Sequence, residues 1–192
     1  MEARLQTPTR ENAAVLFLDL QEEIVKNSRT RNIQQLDLAA AGLAKLAALH
    51  GIPAFLSAVP PGGAFLPSVT SALPESAPRM RTQTSAFADA GLADALNASG
   101  RKALILAGVA SEIVVQRTAL DALAAGYTAF VAVDACGGVD ARTEDAAFRR
   151  ITAAGGATTS AITFAAETAG DFTTEIGGAT LGIMYTLLAA LG

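Results

Sequence analysis

Short apolar runs alternate with longer amphipathic stretches along most of the chain. The clearest run, Ala13–Leu18, is apolar without interruption, which is typical of a strand covered on both faces. Strands are predicted at 13–18, 52–58, 103–107, 128–133 and 158–162, and helices at 36–50, 92–99, 111–125 and 143–154. Because strands alternate with helices, the pattern predicts an α/β fold: a three-layer α/β/α sandwich around a mostly parallel, Rossmann-like sheet.

Two segments depart from this alternation. Residues 64–85 contain Pro67, Pro74 and Pro78 and are predicted to be irregular. The segment 170–192 includes the apolar stretch 181–191, which is too short to span a bilayer and is expected to form a docking helix. No linker or repeat divides the sequence, so we expect residues 1–192 to form a single domain.

Composition narrows the possible functions. Hydrophobic residues make up 51% of the chain, enough for a substantial core, and charged residues only 17%, which fits a homo-oligomer that hides part of its surface. The net charge is −4 and no basic cluster occurs, so a nucleic-acid partner is not expected. The sequence starts without a signal-peptide core, and no apolar run reaches the ~18 residues of a membrane span. We therefore expect a cytoplasmic protein without a membrane partner.

The chain has one cysteine, Cys136, and one histidine, His50. One cysteine permits no intrachain disulfide, and neither a cysteine cluster nor a multi-histidine site is possible, so no metal and no cofactor are expected. We expect Cys136 to be a small packing residue. His50 precedes Gly51 at a predicted helix end, where a histidine usually contacts the last carbonyl groups.

Candidate functional residues gather where three predicted strands end. Asp19 follows the first strand, Val109-Ala110-Ser111 joins a strand to a helix, and Asp134 follows the next strand. In parallel α/β sheets, ligands bind beyond the carboxyl ends of the strands. These positions are therefore expected to form a pocket for a small molecule.

Three ordered segments resemble one known family. They are AAVLFLDLQ at 13–21, RMRTQTSAF at 79–87 and GVASEIVVQRTALDALAAGYTAFVAVDACGG at 108–138. The last is similar to a pattern of the isochorismatase-like cysteine hydrolases: GV-x-[ST]-[DE]-x-C-V, a TALDAL helix, GY, a strand and DA-[CS]-G. The first carries the Asp-x-Gln of that family, and the second resembles its K-x-x-x-S-A-F. The resemblance, from about residue 13 to 167, implies the isochorismatase-like hydrolase fold.

Catalysis in this family rests on an aspartate, a lysine and a cysteine. The thiolate attacks a carbonyl or imine carbon, the aspartate moves the proton, and the lysine favours the charged states. The resemblance implies that Asp19 is the aspartate and that Val114 stands in place of the cysteine. It places Arg81 at the lysine position, with Arg79 as the alternative if the loop shifts register.

Further residues complete the expected pocket. The resemblance implies an oxyanion site formed by the backbone N–H groups of Ala110 and Val114, with a cis peptide bond just before Ala110. Gln21, Phe87 and Ser111 are candidate substrate contacts. The alternatives are that Gln21 and Phe87 pack in the interior and that Ser111 caps the helix that follows it.

The departures from the family pattern limit the chemistry. An isopropyl side chain at Val114 cannot be a nucleophile, and Arg81 does not transfer protons because the pKa of arginine stays above ~12. Arg81 is expected to pair with Asp19 or to bind a substrate carboxylate. The sequence therefore predicts a hydrolase of small molecules, of vinyl-ether or amide/imine type, with Asp19 as acid or base and no thiol. The alternative is an inactive family member that binds a ligand or serves as an oligomeric scaffold.

Overall fold

Six strands build one sheet in the computed structural model, which describes residues 6–191. The strands are β1 (Ala13–Leu18), β2 (Ala54–Ala58), β3 (Arg79–Met80), β4 (Ala103–Val109), β5 (Thr128–Gly137) and β6 (Ala157–Thr159). Their order is β3-β2-β1-β4-β5-β6, and every neighbouring pair runs parallel. The prediction of a parallel α/β sheet is confirmed.

Helices cover both faces of this sheet. They are α1 (Ile33–His50), α2 (Pro67–Thr70), α3 (Ala90–Ala98), α4 (Gln116–Ala124), α5 (Ala141–Ala153), α6 (Ala161–Ala169) and α7 (Glu175–Leu191), and a π-helical turn (Ser111–Val115) precedes α4. Apolar residues of α1, α6 and α7 form a core with one face of the sheet, and those of α3, α4 and α5 form a core with the other. The predicted three-layer sandwich is therefore confirmed.

Three local predictions were wrong. The strand predicted at 128–133 continues to Gly137, so Asp134 lies within β5 instead of after it. The strand predicted at 158–162 ends at Thr159, because Ser160 accepts the N–H of Thr163 and so starts the helix α6. The segment 64–85, predicted to be irregular, contains α2 and β3, and the two residues of β3 pair with the end of β2. Both elements are short and depend on partners that the local sequence pattern does not include.

The ends of β1 and β4 meet at the centre of the sheet. All six residues of β1 are completely buried between neighbouring strands and the two helical layers. Gly108 of β4 pairs with Leu18, and a Cβ at Gly108 would lie 2.3 Å from the Leu18 carbonyl oxygen. The strand order reverses direction between β1 and β4, which is the place where α/β proteins bind ligands. Asp19 and the connection after Val109 therefore both follow this point.

Helix α7 lies against α1 and α6. Leu187 is 3% exposed and fills the space left by Gly42 on α1, where a Cβ would come within 2.7 Å of a Leu187 methyl carbon. Two turns earlier on the same helix, the Thr180 hydroxyl lies 2.9 Å from Nε2 of His50. None of the helices described within residues 6–191 is both long and apolar enough to cross a membrane.

We expect Leu187→Ala to lower the free energy of unfolding by about 2–5 kcal/mol, because the truncation leaves a cavity between α7 and α1. The control is Val139, an apolar residue outside α7 that is 43% exposed. Val139→Ala should change the free energy by roughly 0.5 kcal/mol or less. Urea denaturation followed by circular dichroism measures both values. Equal effects would contradict the expectation that segment 170–192 docks through Leu187.

Candidate active site

Asp19 follows the last residue of β1. Its φ is 53°, the one positive φ of a non-glycine residue within the described range, and aspartate is among the few side chains that adopt this conformation readily. Its N–H donates to the Ser57 carbonyl at 2.9 Å, and its own carbonyl accepts the N–H of Gln21 at 2.8 Å. The chain therefore turns at Asp19, beside the end of β2.

The guanidinium of Arg81 forms a two-pronged ion pair with Asp19. Nη1 donates to one carboxylate oxygen at 2.6 Å, and Nη2 donates to the other at 2.7 Å. Nη1 also donates to Ser57 Oγ at 3.0 Å, and Nη2 to the Thr84 carbonyl at 3.3 Å. Every Nη hydrogen thus has an acceptor, whereas the buried Nε–H of Arg81 has no hydrogen-bond partner among the described residues.

Arg79 lies elsewhere, although it is only two residues from Arg81. Its side chain is on the exposed strand β3, and its Nη1 would lie 3.0 Å from a Cβ added at Gly91 on α3. Of the two arginines that the sequence left open, the structure brings Arg81 to Asp19.

The ion pair is almost fully removed from solvent. The side chains of Arg81 and Asp19 are 1% and 8% exposed. Burial raises the pKa of Asp19, while the hydrogen bonds and the positive charge of Arg81 lower it, and burial is the larger effect. A charge in such a place is tolerated because its partner and its hydrogen bonds are already positioned by the fold.

The connection after β4 lies at the same edge of the sheet. The peptide bond between Val109 and Ala110 is cis. Val114 follows in the π-helical turn, where it is buried in an apolar cluster with Leu18 and Leu106. The N–H of Val114 donates to the Ala110 carbonyl at 3.1 Å. An oxyanion at this N–H would therefore compete with that carbonyl.

Ser111 does not cap the following helix, which corrects that expectation. Its hydroxyl donates to the carboxylate of Glu144 on α5 at 2.6 Å, and the residue is completely buried. Its neighbour Glu112 accepts the N–H of Val139 at 3.0 Å and the hydroxyl of Thr143 at 2.7 Å. Both side chains tie the turn to α5, so the Ser111 hydroxyl already has a structural partner instead of being free for substrate.

Gln21 and Phe87 have packing roles in this structure. The Gln21 amide donates to the carbonyls of Val59 and Gly63 at 3.0 and 2.9 Å and accepts the N–H of Val59 at 2.8 Å, which fixes the loop after β2. The Phe87 ring packs edge-to-face against Tyr127, with 5.6 Å between the ring centroids. Tyr127 directly precedes β5 and lies at the strand's amino end, whereas the candidate site lies at the carboxyl edge. Of the alternatives left open for these residues, packing describes what is seen.

The remaining reactive side chains, Cys136 and His50, are also held in packing contacts. Cys136 is buried in β5, its Sγ lies 3.9 Å from the Leu106 carbonyl, and burial raises its pKa. His50 bonds to Thr180 on α7 instead of the end carbonyls expected from its position, and burial lowers its pKa. Neither side chain has the features of a nucleophile or a catalytic base.

A profile of the isochorismatase domain matches residues 13–163. The chain belongs to the isochorismatase family. The profile spans β1 to the start of α6 and so includes Asp19, Arg81 and Val114.

Relatives from this family share most of the fold. The probable hydrolase YcaC of Escherichia coli (strain K12) is 29% identical over 150 residues, 76% of this chain and 72% of that protein. The structure of YcaC from Pseudomonas aeruginosa with hexane-2,5-diol and covalent acrylamide is 29% identical, with a TM-score of 0.87 over 96% of this chain and 94% of that one. The Escherichia coli YcaC gene product, an octameric hydrolase of unknown specificity, is 26% identical, with a TM-score of 0.86 over 95% and 92%.

Sequence reasoning missed two partners within this isochorismatase-family site. Ser57 accepts a hydrogen bond from Arg81, and its signal was a polar residue near the end of the otherwise apolar strand β2. Glu144 holds Ser111 from a helix 33 residues away, and no local pattern connects the two.

We expect Arg81→Met to lower the free energy of unfolding by about 3–5 kcal/mol at pH 7, because Asp19 would be left as an unpaired buried charge. Without Arg81 nothing opposes the effect of burial, so the pKa of folded Asp19 should rise further above its ordinary value of 3.8. A raised folded pKa makes stability fall as pH rises from the ordinary pKa through the folded one. The deficit should therefore be small near pH 4 and large at pH 7.

Two variants control this measurement. Arg79→Met removes an exposed arginine and should cost roughly 0.5 kcal/mol or less at either pH. The double variant Asp19→Asn with Arg81→Met has no charge to bury, so it should be more stable at pH 7 than Arg81→Met alone. A deficit that is the same at both pH values would show that the ion pair is not what Arg81 contributes.

Proposed function

We propose that the protein is a hydrolase of a small molecule that works without a thiol, with the carboxylate of Asp19 as general base for an attacking water. The ion pair between Asp19 and Arg81 at the carboxyl ends of β1 and β2 is the observation that carries this proposal. It supports a charged, oriented carboxylate beside the turn at Val109 and Ala110, at the edge where parallel α/β folds bind ligands.

The geometry favours a base over an acid. Both oxygens of Asp19 accept N–H groups from Arg81, which stabilises the ionised form, and each oxygen keeps a second lone pair that can accept a proton from water. Burial raises the pKa of Asp19 and so makes its carboxylate a stronger base. Cleavage of a vinyl ether needs a protonated acid instead, so the pairing favours an amide or imine substrate.

The proposed step replaces the thiol by water. With an amide, the water oxygen forms a bond to the carbonyl carbon, the electrons of the carbonyl double bond pass to its oxygen, and one water proton passes to Asp19. The same proton then goes to the leaving nitrogen as the bond between carbon and nitrogen breaks. Arg81 orients the carboxylate throughout, and the N–H of Ala110 is the proposed donor to the developing oxyanion.

An inactive, ligand-binding or scaffold protein is the second candidate, and one observation favours it. The side chains of Asp19 and Arg81 are only 8% and 1% exposed, and Val114 belongs to an apolar cluster. A substrate has to reach the carboxylate of Asp19, and this closed arrangement restricts its access. The hydrolase therefore requires a pocket that opens, whereas the scaffold protein does not.

We also propose that the protein forms homo-oligomers. The support is the octameric state of the Escherichia coli YcaC gene product, which is similar over 95% of this chain. The low content of charged residues, 17%, supports the same proposal.

A direct test measures hydrolysis of p-nitroacetanilide, a small chromogenic amide. We expect the wild-type rate to rise with pH through the pKa of Asp19, because the base form is required, and Asp19→Asn to lower it by about 10²–10⁴-fold. Asp134→Asn is the matched control, since Asp134 is also a buried aspartate, but its carboxylate accepts the backbone N–H of Ala161 and is not paired with Arg81. Equal loss in both variants would refute a specific role for Asp19.

A second test asks whether the pocket admits a small molecule. Val114→Cys should react with acrylamide, a thiol-directed reagent, because Asp19, at the same edge of the sheet, is the proposed acceptor of the thiol proton. The exchange should cost less than about 1.5 kcal/mol of stability because the side chains differ little in volume. The wild-type protein is the control: its one thiol, Cys136, is buried with a raised pKa and should stay unmodified. Mass spectrometry detects the acrylamide adduct. A folded variant whose new thiol remains unmodified would favour the scaffold function.

A further inference from the structure

The outward face of α7 has no part in the core or in the candidate site. Gly178, Gly182, Tyr185 and Ala189 recur at helical spacing and so lie along one side of the helix. All four are exposed, and Tyr185 is 63% exposed. Residues 176–191 contain no charged side chain. A helix on the surface of a globular protein usually carries charge on its outward side, so this face has the composition of one that is covered.

The two glycines of this face are not required by the packing of the chain on itself. At Gly177, on the inward side, a Cβ would lie 2.0 Å from the Asp171 carbonyl oxygen, so a side chain is excluded there. At Gly182 a Cβ would meet no atom within 4 Å, and at Gly178 it would meet only the Phe172 carbonyl oxygen at 3.6 Å. Glycine weakens a helix relative to alanine, and it is used where another backbone approaches closely.

Large apolar side chains flank the same face. Leu188 on α7 and Leu38 on the adjacent helix α1 are exposed, and the exposed Lys45 of α1 borders the groove beside Gly182. Together with Tyr185 the two leucines make this face mostly apolar, with Lys45 at its border.

We propose that this face packs antiparallel against α7 of a second copy, about a twofold axis that passes between Leu181 and Gly182. Gly178 and Tyr185 lie equally far on either side of that point, so the pairing sets the Tyr185 ring of each copy opposite Gly178 of the other. A twofold interface needs a surface that is complementary to itself, and a projecting ring with a hollow at the matching distance meets that need. The interface rests on the homo-oligomer proposed above and names its contact surface.

Cysteine cross-linking tests the pairing. Gly182→Cys lies next to the proposed axis, so mild oxidation should link two copies through this position, as a disulfide needs Cα atoms within about 7 Å. Ala189→Cys is the matched control on the same face. Its two copies would be about 22 Å apart along the antiparallel helices and should not link. Cys136 is buried and does not contribute a background.

Each other outcome overturns the proposal in a distinct way. Linking through both positions would show a parallel arrangement, and linking through neither in a protein that sediments as an oligomer would show that another surface forms the assembly. A wild-type monomer at micromolar concentration in sedimentation would overturn the homo-oligomer together with this interface. A monomer that co-sediments with phosphatidylcholine vesicles would show that the face is covered by lipid.

A second variant checks the assembly without oxidation. Gly182→Arg adds a side chain where the isolated fold has open space, so the monomer should fold normally while the assembly dissociates into smaller species. Ala146→Arg, at an exposed position of α5, adds the same group elsewhere and should leave the assembly intact. An unchanged oligomer in Gly182→Arg would overturn the interface and leave the homo-oligomer standing.

Discussion

The buried ion pair between Asp19 and Arg81 is the constraint on which the candidate site depends. Two charges removed from water are tolerated only when their geometry is good and their remaining hydrogen-bond groups have partners. The sheet supplies those conditions through its register: the Asp19 N–H bonds to the Ser57 carbonyl, and the Arg81 N–H bonds to the Ala58 carbonyl. Strand β2 thus stands between the two residues and fixes both, and the Ser57 hydroxyl accepts a further Nη hydrogen, which leaves the Nε–H of Arg81 as the donor of the pair without a partner in residues 6–191.

The same pair determines which chemistry the edge of the sheet can perform. A carboxylate with both oxygens bonded to one guanidinium is held ionised and oriented, which suits a base and disfavours an acid. Arg81 could offer a substrate only its Nε–H at the same time, because its four Nη hydrogens are already donated. Because Val114 carries an isopropyl group, the proposed mechanism takes the attacking atom from water. The proposed mechanism is therefore the one that needs the fewest changes in this arrangement.

Sequence reasoning succeeded where local pattern and physical requirement coincide. The run Ala13–Leu18 is apolar because both faces of β1 are covered. Asp19 was identified as a candidate because a carboxylate is unusual directly after a strand that is buried on both faces. It failed where a partner is distant in the chain. Nothing near Ser111 shows that Glu144 takes its hydroxyl, and nothing near Phe87 shows that its ring meets Tyr127. Such contacts are set by the packing of whole elements, which short patterns do not record.

The ion pair also bears on whether the site is only a structural remnant. A buried salt bridge is a poor way to gain stability, since apolar residues of similar volume in the same place are often neutral or stabilising. The position of Val114 shows that this part of the fold accepts an apolar side chain packed beside Leu18. Stability alone would let Asp19 and Arg81 be apolar as well. Their presence is better explained by a use for an oriented charge at the switch point of the sheet, which is why the hydrolase is placed before the scaffold.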